Sequence, residues 1–122
     1  MKGATLITND GMFLECAEAT LRNLGFEVSF GGGYIQAMKD RTQVMFHPPL
    51  DAKRWRAEVD PATANLNRVE NLDYGFFVEC RWESMFCEIV RAIAKRAGKP
   101  FFVVNEVSVY APDEITPSLM AV

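Results

Sequence analysis

Residues that commonly do chemistry are sparse in this chain: one histidine, three cysteines, and a few carboxylates around residues 79–88. An imidazole ordinarily titrates near neutrality and can serve as a general base or metal ligand. His47, however, follows the run TQVMF, sits beside Pro48 and Pro49, and has no carboxylate close in sequence to orient its ring. A structural or incidental role is the expectation. Cys80 and Cys87 lie seven residues apart, whereas zinc ligands favour pairs separated by about two to four residues, with a second pair elsewhere. Together with Cys16 they read as small buried hydrophobes, not as a nucleophile, a metal site or a disulfide framework. No metal or cofactor is expected, chelators should leave the fold untouched, and no residue is assigned a catalytic role.

Glu79, Glu83 and Glu88 bracket the start of a helix, with Arg81 among them. Paired carboxylates can run acid–base chemistry when one of them is buried. Here strand parity puts Glu79 beside Arg81, which suggests a surface ion pair, and acidic groups favour helix N-termini without any catalysis. Gly31-Gly32-Gly33 would cradle a phosphate only if a helix followed. A strand-like segment follows instead, so a turn is expected. The residues that stand out for binding are Arg54, Trp55 and Arg56, an aromatic framed by cations in a segment that reads as irregular. Trp and Arg dominate protein–protein hot spots, which makes these three the expected partner contact. The competing expectation is that Trp55 merely covers the core.

The elements that must position these residues follow from periodicity. Residues 4–8 form an apolar, β-branched strand. Asn9 and Asp10 then offer caps to a helix with Phe13, Leu14, Ala17, Leu21 and Leu24 on one face, ended by Gly25 in a left-handed position. EVSF, YIQAMK and TQVMFH read as three strands, the last two joined by a turn at Asp40-Arg41. Residues 50–73 read as a connector with one weak element: DAKRWRAEV fits either an edge strand or a short helix, and Asp60-Pro61 offers a helix start. The stretch YGFFVECR is a strand apolar on both faces. WESMFCEIVRAIAKRAG is a helix whose stripe is Met85, Phe86, Ile89, Val90, Ile93 and Ala97, ended by Gly98. FFVV and VSVY flank Asn105-Glu106, the expected site of a tight hairpin or bent strand.

These elements predict one α+β domain over 1–122, an antiparallel-rich sheet with two helices on one face. Its order suggests two β-α-β-β units, about 1–49 and 74–122, joined by the connector 50–73. Duplicated units of this order occur in small-molecule-binding domains of the gyrase-inhibitor-like type, an analogy of architecture alone.

The net charge of −3 is spread evenly, each of the segments 1–50, 51–73 and 74–122 carrying one excess negative charge. No basic tract is available to neutralise phosphates, which disfavours nucleic acid as a partner. A mildly acidic surface is compatible with a basic protein partner. No segment approaches the ~18 apolar residues of a membrane span, and the start MKGATLITND lacks a signal-peptide core. An odd cysteine count fits a reducing, cytoplasmic setting.

Three functions remain in view. The leading one is non-enzymatic protein binding, as in an immunity or inhibitor protein acting on a toxin or enzyme. Next is a small-molecule site in a cleft between the units, lined by Tyr34, Phe77, Trp82 or Tyr110. A cofactor-free enzyme is third. The oligomeric state is not legible.

Overall fold

The computed structural model describes residues 1–121. β1 (Gly3–Thr8), α1 (Phe13–Asn23), β2 (Glu27–Gly31), β3 (Tyr34–Lys39), β4 (Thr42–Phe46) and β5 (Leu50–Asp51) come first. They are followed by α2 (Ala52–Glu58), a 3-10 turn (Leu66–Val69), β6 (Tyr74–Cys80), α3 (Glu83–Arg96), β7 (Phe101–Val104), β8 (Val109–Tyr110) and α4 (Pro117–Met120). The eight strands form one antiparallel sheet in the order β2-β3-β4-β6-β1-β7-β8, with β5 pairing a second stretch of β6. The fold is therefore α+β, as the patterning indicated.

Local chemistry explains the elements. In α1, the Gly25 N–H donates to the Arg22 carbonyl and the Phe26 N–H to the Leu21 carbonyl. This six-to-one and five-to-two closure needs a left-handed residue, supplied by Gly25 at φ +92. Both hairpins of the β2-β3-β4 meander are two-residue turns with two positive φ values, Gly32-Gly33 in the first and Asp40-Arg41 in the second. Such turns match the twist of the flanking strands. Glycine adopts them freely, and Asp at the first position of the second turn tolerates the left-handed region better than most residues do.

Alternation divides the sheet into two faces. Leu6, Ile35, Ala37, Val44, Phe46, Phe76, Val78 and Val103 point one way, into the main core under α1 and α3. Phe13 of α1 stacks on Phe76 at 5.2 Å and meets Phe101 edge-on at 5.2 Å. From α3, Phe86, Cys87, Ile89, Val90 and Ile93 are buried; of the expected stripe Met85 and Ala97 are only partly buried at its margin, Ala97 lies just past the helix, and Cys87 is added. On the other face, Ile7, Ala52, Val69, Val104 and Val109 form a smaller cluster covered by Trp55, Leu66 and Leu72.

Several expectations are corrected. Of the two readings of DAKRWRAEV the short helix is the one formed, Asp51 capping α2 by accepting the Lys53 N–H at 2.9 Å, so Arg54, Trp55 and Arg56 lie on a helix and not in an irregular segment. Asp60 starts a turn instead of a helix, its carboxylate accepting the Ala62 N–H. Gly98 does not cap α3, which ends at Arg96 with Ala97 already extended. The β7–β8 connection spans Asn105–Ser108, because the Asn105 side chain takes the Val107 and Ser108 N–H groups and widens the turn. Finally, the C-terminal segment closes the main core, with Ile115 at 0% and Met120 at 2% exposure.

Candidate functional site

The order of strands decides what lies on the surface. β1 sits between β6 and β7, and β4 pairs with β6, so strands from the two halves of the chain interleave in one sheet. The helices α1 and α3 pack on one face. The opposite face is roofed by α2 and the 3-10 turn over β1, β7, β8, β5 and the start of β6. Over β2, β3, β4 and the end of β6 it is open, and the side chains that alternation sends there are Glu27, Ser29, Tyr34, Gln36, Met38, Gln43, Met45, Phe77 and Glu79.

In the middle of this open face His47 continues β4, its backbone N–H donating to the Phe77 carbonyl at 2.9 Å. That bond extends the β4–β6 register and carries the imidazole across to β6. There His47 Nε2 meets Glu79 Oε1 at 2.8 Å, and the ring lies 5.6 Å from that of Phe77. The expected Glu79–Arg81 pair is not formed. Arg81 instead places its guanidinium 5.5 Å from the centre of the Trp82 ring, because the strand ends at Cys80 and the alternation is broken there. The histidine thus has a carboxylate partner that sequence proximity did not reveal. Glu79 occupies Nε2 and both side chains are part-exposed, so the pair can take a polar or cationic group from a partner.

Phe77 separates two grooves. One, about 440 Å³, is lined by Gln43, Phe77, Glu79, Arg81 and the chain start. The other, about 770 Å³, runs between α2 and the β1–β7 edge of the open face, lined by Gly3, Thr5, Trp55, Val59, Phe77, Val104 and Glu106. Gly3 shapes its floor. A β-carbon there would stand 2.1 Å from the Val78 carbonyl oxygen and 2.8 Å from the Phe77 ring. The aromatic ring lies down over the glycine in place of a side chain.

The structure brings together Trp55 and Phe77, which share the larger groove, while Tyr34 stands on the same open face two strands away from β6. Trp82 and Tyr110 are elsewhere. Trp82 is 51% exposed at the start of α3, and Tyr110 packs against the main core on the helix-covered side. Arg54 points to solvent, with its Nε 3.7 Å from Glu58, while Arg56 reaches Glu70 at 3.6 Å. Cys16, Cys80 and Cys87 all have pKa values raised, in each case chiefly by burial, which keeps the thiols protonated and poorly nucleophilic. Among the described residues no three metal-ligating side chains cluster, and no helix is long and apolar enough to cross a membrane. His47–Glu79 was legible only in part: the parity of YGFFVECR puts Phe77 and Glu79 on one face, but nothing local names β4 as the neighbour. Comparison with protein-family models, with characterised proteins and with solved structures finds no match to this chain.

Proposed function

We propose that the chain is a non-enzymatic protein-binding domain, acting as an immunity or inhibitor protein would, and that its contact surface is the open sheet face continued by the Trp55 side of α2. The observation supporting this reading is the composition of that face. Tyr34, Met38, Met45 and Phe77 present part-exposed apolar area around a central His47–Glu79 pair, and no helix covers them. Apolar anchors around a few directed polar groups are the usual anatomy of a contact patch. Glu27 on β2 and Glu79 on β6 place carboxylates at the two ends of this face, which suits a partner presenting lysine or arginine.

The test is partner capture by the immobilised protein, compared with Glu79→Lys. That side chain is 50% exposed, so the variant should melt like the parent and lose a basic partner. Equal retention by both proteins would overturn the assignment of this face. A second reading, small-molecule binding, is favoured by the larger groove, whose volume of about 770 Å³ lies in the usual range for ligand sites. A saturable thermal shift with a small molecule, weakened in Trp55→Ala, would support it instead.

A further inference from the structure

We infer that β2 is a pairing edge for a second copy of this chain, joined antiparallel about Ser29. The two ends of the sheet differ. β8 has two residues, and its outer side is occupied by a parallel bridge between Ala64 and Ser108 and by Arg68 donating to the Val109 carbonyl. β2 has five residues and pairs only with β3.

Its hydrogen-bonding parity follows from the turn. In a two-residue hairpin the flanking residues are the bonded pair, so Gly31 bonds to Tyr34, and Ser29 and Glu27 bond inward to Gln36 and Met38. The N–H and C=O groups of Val28 and Phe30 therefore point outward. Among the described residues one of those four has a partner, the Val28 carbonyl accepting from Arg22 Nη2 at 3.0 Å. A carbonyl has a second lone pair, so this guanidinium competes for the edge without closing it.

One register uses all the outward groups. Setting Ser29 opposite Ser29 places Val28 against Phe30 on both sides of the axis, giving four backbone bonds. Centring on Val28 or on Phe30 gives two within the strand. In the four-bond register the half-buried side chains of Val28 and Phe30 meet on the α1 side and extend the main core. The strand's only charge, Glu27, faces Gly31 of the other copy. The two Glu27 groups then stand about 13 Å apart along the strands, beyond the screening length of about 8–10 Å. Gly31 fits this arrangement. Its φ is not positive, and a β-carbon on it would meet nothing within 4 Å, so neither the turn nor this copy's own packing demands glycine there. A glycine there leaves room for the Glu27 side chain of the other copy opposite it.

Ser29 is exposed and lies on the axis, which permits a test that spares the core. Sedimentation of the purified protein from micromolar to millimolar concentration should show a monomer–dimer equilibrium above the 13.7 kDa monomer. Ser29→Lys and Ser29→Glu should each weaken it by about fivefold, as like charges directly opposite do, and an equimolar mixture of the two should restore it. Phe30→Pro, which removes an outward N–H and no ladder bond, should abolish dimerisation, while Arg22→Ala should strengthen it. A protein that stays monomeric throughout, or a dimer indifferent to both Ser29 variants, overturns the inference. Because no partner is present, the result is independent of the function proposed above.

Discussion

Trp55 was singled out in the sequence as a contact residue, and its place in the fold makes a sharper expectation possible. It is on α2, partly buried over Ile7, Ala52 and Val69, and also lines the groove beside Phe77. A large aromatic hides up to roughly 250 Å² when fully covered, and Trp55 is about two-thirds covered or more, which removes on the order of 160 Å² from water. At about 25 cal/mol per Å² that is about 4 kcal/mol, and residual burial in the unfolded chain brings it nearer 3 kcal/mol. Trp55→Ala should therefore lower stability by about 3 kcal/mol, a fall in urea midpoint of about 1–3 M for a slope of about 1–3 kcal/mol per M. Arg54→Ala serves as the control. That side chain is 83% exposed, and its loss should stay within about 0.5 kcal/mol. Urea melts followed by far-ultraviolet dichroism measure both. A Trp55→Ala loss below about 0.5 kcal/mol would refute the packing argument and return Trp55 to a purely interfacial role.

Other expectations concern the rest of the molecule. Ile89→Ala, at 2% exposure in the α3 stripe, should cost about 2–5 kcal/mol in the same melts, the range for a core deletion. A loss below about 0.5 kcal/mol would mean that the helix face is wrongly assigned. Gly3→Ala should be destabilising despite its conservative chemistry, because the new methyl meets the Val78 carbonyl, a backbone atom that cannot rotate away. A neutral melt would show that β1 shifts freely. Acid should erode stability through two surface carboxylates. Glu83 has its pKa lowered by the backbone N–H at the start of α3 and then by the N-terminal amine, and Glu114 has its pKa lowered by the Arg68 guanidinium. A carboxylate depressed in the folded state contributes fully above its unfolded pKa of about 4.3 and loses that contribution as pH falls through the folded value. Melting temperature should thus decline below about pH 4.5, less steeply in Glu114→Gln; an unchanged slope in that variant would remove Glu114 from the account.

What the sequence determined alone is the set of features that depend on neighbours within a few residues. The stripe Phe86, Ile89, Val90 and Ile93 repeats at the helical period, so α3 and its buried face were legible. Ile35 and Ala37 alternate against Tyr34 and Gln36, which identified β3 and its inward side. Gly25 marked the end of α1 because few other residues reach its φ. α2 was undecided because seven residues provide too few turns for a helical period to stand out from an alternating one. The Asp51 cap and the packing of Trp55 settled it. The segment 111–121 carries turn residues and two prolines, and only the space left beside α3 explains why Ile115 and Met120 are buried. Above all, the insertion of β1 between β6 and β7 has no local signature, since pairing between distant strands depends on which edges close the core. His47 and Glu79 are 32 residues apart in the chain. They meet because Phe46 pairs with Val78 and places both side chains on the face that the helices leave open.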